Sequence, residues 1–229
     1  MSQHQLQPED FKEVQFKLIL IGDGGVGKTT YITRVKDGNF LKNYVATVGA
    51  DVQTISFYTN CMHKIIFEVW DTAGQEINSM LSDVYYVDAK AAIVMFDVTS
   101  RATFKNVPRW LMKLRTLTTL NNVNIPTIVC GNKVDLKDRK INASSLKAGF
   151  TRNITNYFDI SARGNFNFDK PFLELAKVLL RNNDLQFVAN FNLKPSEINV
   201  EPQEAMQSEE IMRSIDAAKN ASIGDDDLL

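Results

Sequence analysis

Gly22-Asp23-Gly24-Gly25-Val26-Gly27-Lys28-Thr29 is a glycine-rich segment that fits the pattern G-x-x-x-x-G-K-[ST] of phosphate-binding loops. An apolar, partly alternating run over 14–21 predicts a strand before it, and the pattern over 30–36 predicts a helix after it. Glycines let successive backbone N–H groups converge on phosphate oxygens, and the helix adds the positive end of its dipole. Lys28 would supply a cation and Thr29 a Mg²⁺ ligand. A plain glycine turn needs neither side chain, so the segment predicts a nucleotide-binding loop.

Composition and charge narrow the class of protein. The chain has 229 residues, 44% of them apolar, which suits one domain with a sizeable core and an appendage. Its net charge of −1 gives no reason to expect nucleic acid or an anionic membrane as a partner. Two cysteines, Cys61 and Cys130, provide no disulfide framework and favour a reducing compartment.

Membrane attachment is not expected either. No apolar run approaches the ~20 residues that span a bilayer. Ser2 stands where myristoylation needs a glycine, and no cysteine lies near residue 229 for prenylation. We therefore expect a soluble protein without an anchor.

Charge is unevenly distributed along the chain. Residues 201–229 hold eight acidic and two basic residues, a net of −6, so residues 1–200 carry +5. We predict a polar leader over 1–13, a globular domain over 14–183, and a linker, weak helix and acidic tail over 184–229. The tail has a weak apolar stripe, which fits either a docked amphipathic helix or a transient helix in a disordered tail. The stripe consists of Ala205, Met212, Ile215 and Ala218.

Strand and helix patterns alternate along the globular part. Further strands are predicted over 50–58, 63–70, 89–98, 126–131 and 157–160, and helices over 104–120 and 168–181. The first two of these strands are joined by a short turn and should form an antiparallel hairpin. The helix over 104–120 has Pro108 in its first turns, where proline is tolerated. The alternation predicts an α/β fold: a mostly parallel six-stranded sheet with one antiparallel strand and helices on both faces.

Three polar segments directly follow predicted strands, where the crevice of an open α/β sheet forms. They are Asp71-Thr72-Ala73-Gly74-Gln75-Glu76, Asn132-Lys133-Val134-Asp135 and Ser161-Ala162-Arg163. The Asp135 carboxylate can accept from both the ring N–H and the exocyclic amine of guanine. Adenine lacks that pair of donors, so Asp135 predicts selectivity for guanine.

Together with the glycine-rich loop, these segments resemble the Ras superfamily of small GTPases over about 14–181. The resemblance implies a Mg²⁺-dependent GTPase that is slow without an activating protein, because no arginine finger can be assigned within the chain. It implies that Gln75 orients the attacking water and that Lys28 neutralises phosphate charge. Within the superfamily, Tyr44 matches the tyrosine of the Ran family that helps to place this glutamine. The implied Mg²⁺ ligands are Thr29, Thr47 and, through water, Asp71. The implied nucleotide-binding residues are Asp23, Gly24, Gly25, Val26, Gly27, Lys28, Thr29, Thr30, Phe40, Tyr44, Thr47, Gly74, Asn132, Lys133, Asp135, Ser161, Ala162 and Arg163.

Several segments narrow the resemblance to the Ran family of nuclear-transport GTPases. They lie at 44–49, 70–76, 95–100, 105–108, 130–140 and 167–173, and the unlipidated acidic C-terminal segment is similar too. This resemblance implies a monomeric switch of the nucleus and cytoplasm whose GTP form binds importin-β-type carriers. Its further implied partners are an exchange factor, an activating protein and Ran-binding-domain proteins. Neither direct nucleic-acid binding nor a membrane anchor is expected.

Three departures from the Ran pattern leave alternatives open. Arg163 stands where the family has lysine, and residues 77–80 lack the lysine and phenylalanine that engage the import factor of the GDP form. The segment 147–153 carries fewer basic residues than the corresponding cluster of the family.

A vesicle-traffic GTPase is one alternative, against which the missing prenylation cysteine weighs. A slowly cycling GTP-dependent scaffold is another, against which the intact Gln75, Thr47 and Gly24 weigh.

Overall fold

The computed structural model describes residues 10–37, 46–74, 80–119, 124–142, 154–188, 196–198 and 213. These residues contain β-strands, α-helices and a 3₁₀ helix at Met80–Tyr86. The strands are β1 Lys12–Ile21, β2 Ala50–Tyr58, β3 His63–Thr72, β4 Ala91–Asp97, β5 Thr127–Asn132 and β6 Asn156–Asp159. The helices are α1 Lys28–Asp37, α2 Arg101–Thr119 and α3 Lys170–Leu180.

All six strands belong to one sheet, in the order β2-β3-β1-β4-β5-β6. β2 and β3 pair in antiparallel fashion across a short turn, and the other neighbouring pairs are parallel. Parallel neighbours require a crossover connection, whereas an antiparallel pair needs only a tight turn. α1 lies in the connection from β1 to β3, and α2 lies in the connection from β4 to β5. The predicted α/β fold with one antiparallel strand is confirmed.

Side chains alternate between the two faces of the sheet because successive residues of a strand point in opposite directions. In β1, Leu18 and Leu20 face a core that also contains the apolar faces of α1 and α3. Ile19 and Ile21 face a second core, which contains the apolar face of α2. β4 and β5 are buried along their whole length, as central parallel strands covered on both sides must be. Helices therefore cover both faces, as predicted.

The start of α2 differs from the prediction. The helix begins at Arg101, so Pro108 is its eighth residue and does not lie in its first turns. The carbonyl of Ser100 explains the earlier start, because it accepts from Thr103 Oγ1 at 3.0 Å and from Phe104 N at 3.3 Å. Proline has no N–H, so the helical bond from position 108 to the carbonyl of Phe104 cannot form. The apolar face that α2 buries against the sheet keeps the helix continuous across that position.

The chain after α3 returns to the sheet. Leu185 is fully buried, the Phe187 ring stacks on Phe57 with centroids 4.2 Å apart, and Val188 N donates to Tyr58 O at 2.9 Å. The predicted linker and tail helix lie largely outside the described residues, and the predicted domain limits stay predictions. Within the described part of the chain, no helix has the length and apolar character needed to cross a bilayer.

The parallel strands place their carboxyl ends at the same edge of the sheet. β1, β3, β4, β5 and β6 all run in one direction, so the segments that follow them converge there. In open α/β sheets this edge forms the ligand crevice. The glycine-rich loop, Asp71, Asn132 and Ser161 all lie at or just after these strand ends.

Candidate nucleotide-binding site

The glycine-rich loop connects β1 to α1 and depends on glycine at two crowded positions. Gly22 has a φ of 142°, and a Cβ there would collide with the carbonyl oxygen of Met95 in β4. Gly27 has a φ of 99°, and its Cβ would lie 2.5 Å from Nδ2 of Asn132. Side chains rarely adopt these conformations, and here they would also displace neighbouring groups. The loop is therefore fixed in shape by its contacts with β4 and β5.

Lys28 lies inside the loop that precedes it. Its ammonium donates to the carbonyl oxygens of Gly22 at 2.7 Å and Asp23 at 3.0 Å, and only 6% of the residue is exposed. Burial lowers the pKa of Lys28 to about 8, against the raising effect of the Asp71 and Asp23 carboxylates. The cation thus lies within the glycine-rich loop, and its role in binding phosphate stays a prediction.

The three predicted Mg²⁺ ligands meet beside this lysine. The Thr29 hydroxyl donates to Oδ2 of Asp71 and lies 2.9 Å from the Thr47 hydroxyl. Asp71 is almost fully buried, and its Oδ1 has no hydrogen-bond partner among the described residues. Burial raises the pKa of the Asp71 carboxyl, against the hydrogen bond from Thr29 and the charge of Lys28. Two hydroxyls and a carboxylate with a spare buried oxygen fit the hard oxygen ligands that Mg²⁺ prefers.

Gly74 brings the end of β3 onto the phosphate-binding loop. A Cβ at Gly74 would collide with the backbone of Asp23 and Gly24, so the two segments are in direct backbone contact. The neighbouring Ala73 N donates to Gly49 O at 2.9 Å, which ties this segment to the one that carries Thr47. Residues 46–50 and 71–74 therefore border the loop together.

Asn132 joins the loop to the segment after β6. Its Nδ2 donates to Val26 O at 2.9 Å, and its Oδ1 accepts from Ala162 N at 3.0 Å. Lys133 adds a second link, because its ammonium donates to Gly25 O at 2.8 Å. These bonds hold the predicted base-reading segments against the predicted phosphate-binding segment.

The predicted guanine-reading residues also lie together. Oδ1 of the half-buried Asp135 accepts from the Ser161 hydroxyl at 2.7 Å, and Ser161 Oγ accepts from Gly164 N at 2.9 Å. Ala162 is buried, whereas Arg163 is exposed. Thr30 lies in the first turn of α1 and is half-buried. The structure therefore gathers these predicted site residues at one edge of the sheet.

Three predicted site residues, Phe40, Tyr44 and Gln75, lie outside the described residues. Their assigned roles in nucleotide contact and in placing the attacking water stay predictions. The roles of the described site residues are likewise proposals.

Two ion pairs, at the ends of β4 and β6, were not predicted from the sequence. Asp97, at the end of β4, forms an ion pair with the Lys133 ammonium at 2.8 Å and accepts from Thr99 N at 2.8 Å. Arg139 forms a bidentate pair with the buried Asp159 at 3.0 and 3.1 Å. The position of Asp97 at a strand end was an available signal. Nothing in the local pattern around Arg139 predicts its partner twenty residues away.

The comparison with protein families agrees with this geometry. The model of the Ras family matches residues 17–181, which is more than half of the chain. The chain therefore belongs to the Ras family of small GTPases. As a class, these proteins are GTP-binding switches that bind GTP or GDP with Mg²⁺, hydrolyse GTP, and work with exchange factors and activating proteins.

Proposed function

We propose that this GTPase is a Ran-type switch of nucleocytoplasmic transport, whose GTP form binds importin-β-type carriers in the nucleus and releases them after hydrolysis in the cytoplasm. The observation that carries the proposal is the run of Ran-like segments over 44–49, 70–76, 130–140 and 167–173. The first two include residues that border the phosphate-binding loop in the structure, where a change of nucleotide would alter a partner-binding surface.

The chemistry of this switch follows from the chain's own residues. Lys28 holds the triphosphate, and Gln75 orients a water for in-line attack on the γ-phosphate. Thr29, Thr47 and Asp71 are the residues that would hold Mg²⁺, which neutralises phosphate charge when bound. Asp135 reads guanine. Because no arginine finger is assigned within the chain, we expect turnover on the order of 10⁻⁴ s⁻¹ without an activating protein.

Contacts of the segment after residue 195 support a switch in which the C-terminal part responds to the nucleotide. Glu197 N donates to Gly164 O at 2.8 Å, and its carboxylate forms an ion pair with the nearly buried Arg34 of α1 at 2.5 Å. The Ile198 side chain lies against Gly164, so a Cβ on residue 164 would be only 2.5 Å from Cγ2 of Ile198. Gly164 directly follows the predicted guanine clamp. In the Ran family the tail rests on the body in the GDP state and is displaced with GTP.

A pulldown with the Gln75→Leu variant tests the proposal. Leucine cannot orient water, so this variant should lose activator-stimulated hydrolysis while its affinity for GTP stays nearly unchanged. Immobilised Gln75→Leu protein is loaded with GTP or, as the matched control, with GDP. Each sample is then offered a purified importin-β-type receptor.

Retention of the receptor by the GTP-loaded sample alone is the expected result. Equal retention in both states, or none in either, would contradict the transport role and leave the GTPase activity intact. Wild-type hydrolysis rates with activator in the same variant would remove Gln75 from the mechanism.

A further inference from the structure

We propose that Asn106 and Trp110 of α2 are positioning residues for the phosphate-binding loop, and that they set how long the protein retains a guanine nucleotide. Both act through Asp23, the second residue of the loop. The inference concerns nucleotide retention by the GTPase itself and does not depend on the transport role.

The two side chains engage both oxygens of one carboxylate. Asn106 Nδ2 donates to Asp23 Oδ2 at 2.7 Å, and Trp110 Nε1 donates to Asp23 Oδ1 at 2.8 Å. Asn106 and Trp110 are four residues apart and so share one face of α2. Each bond has an ionised acceptor, which makes it stronger than a bond between neutral groups.

The anchor on the α2 side is rigid. Trp110 is 2% exposed and belongs to the core between α2 and the sheet. An indole packed on all sides cannot follow its partner if that partner moves, so Asp23 is held in a fixed place relative to the sheet. The contact joins residues 87 positions apart in the chain.

Asp23 is also the point where the loop meets two other parts of the site. Its carbonyl oxygen accepts from the Lys28 ammonium at 3.0 Å. Its backbone, with that of Gly24, lies against Gly74 at the end of β3. Movement of Asp23 would therefore displace the catalytic lysine and the segment beside the Mg²⁺ ligands together.

The direction of the Asp23 side chain matters for electrostatic reasons. A carboxylate that turned towards a bound phosphate would repel it strongly in a partly buried site. The two donors of α2 keep this charge directed towards the helix and supply the hydrogen bonds that it needs. A loop released from α2 would lose both its shape and this orientation, so the nucleotide would dissociate faster.

The test measures dissociation of GDP labelled with N-methylanthraniloyl, in Mg²⁺, from the full chain. Trp110→Phe removes the indole N–H but keeps an aromatic ring. Asn106→Ala and Trp110→Phe should each release the labelled GDP roughly tenfold faster, because each removes one hydrogen bond to a charged group. Asp23→Ala should do the same or more. The double variant Asp23→Ala/Asn106→Ala should release it no faster than Asp23→Ala alone, because both changes remove the same bond.

Two controls on the same helix separate positioning from general loss of stability. Thr118→Val removes a buried side-chain bond to Leu114 O at the far end of α2. Leu114→Ala opens a cavity in the same core as Trp110 without touching Asp23. Both should retain wild-type dissociation rates. Rates that rise in Leu114→Ala as much as in Trp110→Phe would show that only packing matters and would overturn the inference.

Trp110 fluorescence supplies a readout that packing alone would not move. The protein has two tryptophans, so Trp70→Phe leaves Trp110 as the single indole emitter. Its emission should change when a chelator removes Mg²⁺ and GDP dissociates. This change should disappear when Asp23→Ala is added to Trp70→Phe.

Unchanged emission together with wild-type dissociation rates in Asn106→Ala would overturn the inference while the nucleotide still binds. A wild-type protein that fails to bind the labelled GDP at all would overturn the inference and the nucleotide-binding assignment together.

Discussion

At the scale of single residues, Asp135 offers the most selective test of the base-reading site. Its Oδ1 accepts from the Ser161 hydroxyl, and the amide oxygen of asparagine could accept the same bond. Asp135→Asn would therefore keep the local structure while replacing the other carboxylate oxygen with an N–H donor. Xanthine carries a carbonyl where guanine has its exocyclic amine, so we expect preference to shift from GTP towards xanthosine triphosphate. Competition binding with the two nucleotides measures the shift.

The matched control is Asp138→Asn, three residues further along. Asp138 loses the same charge, but its side chain is 78% exposed and pairs only with Lys140 on the surface, at 3.2 Å, in the described contacts. It should leave nucleotide preference unchanged. GTP binding at full strength in Asp135→Asn would refute the role assigned to Asp135.

Site residues were predictable where they belong to a short sequence motif or directly follow a predicted strand. The loop motif identified Lys28 and Thr29, and the position after a strand identified Asp71 and Asn132. The partners of these residues were not predictable, because periodicity assigns a side chain to a face and says nothing about contacts between distant segments. The tryptophan that holds Asp23 falls within a predicted helix, but its contact with the loop had no signal in the sequence.

At the scale of secondary-structure elements, a buried ion pair holds the segment after β5 against β6. The Arg139 guanidinium forms a bidentate pair with Asp159, which also accepts from the Tyr157 hydroxyl at 2.5 Å. Burial raises the pKa of that hydroxyl, so Tyr157 stays a donor at neutral pH. Because Asp159 is 3% exposed, removal of the guanidinium would leave a carboxylate uncompensated in the interior.

We therefore expect Arg139→Met to lower the free energy of unfolding by about 3–5 kcal/mol. Urea unfolding at fixed GDP and Mg²⁺ concentrations measures this, since bound ligand adds to apparent stability. Lys140→Met is the control, because Lys140 is 47% exposed and its ion pair with Asp138 lies on the surface. Its effect should stay within about 0.5 kcal/mol. Equal effects of the two variants would contradict the importance of the buried pair.

Element types were predictable, and their limits less so. Alternating and 3.6-residue patterns identified the strands and helices of the described residues because each element buries one recognisable face or run. β1 begins at Lys12 instead of 14, since pairing with β3 extends it beyond its apolar part. α2 begins at Arg101 because hydrogen bonds at Ser100 start the helix before its apolar face begins. Such terminal bonds leave little trace in a hydrophobic pattern.

At the scale of the whole molecule, charge divides the chain into two parts. Residues 1–200, which include the globular body, carry a net charge of +5, and the tail over 201–229 carries −6. Ser196–Ile198, just before the tail, already contacts the body through Arg34 and Gly164. Because the tail is tethered to the body within one chain, we expect it to be at high effective concentration near the body, where opposite charge would favour its association. A carrier that binds the same surface would have to compete with the tail.

Deletion of residues 201–229 is therefore expected to increase affinity for an importin-β-type carrier, above all in the GDP-loaded protein. The deletion leaves Ser196–Ile198 in place, so any effect belongs to the tail and not to the contacts with Arg34.

A full-length control in which Asp225, Asp226 and Asp227 become asparagine separates tail charge from tail length. Because salt screens attraction between opposite charges, the gain should shrink between low and high salt. Carrier affinity is measured for all three proteins, in both nucleotide states and at both salt concentrations. Equal affinities for the full-length and truncated proteins at low salt would leave the tail without a regulatory role.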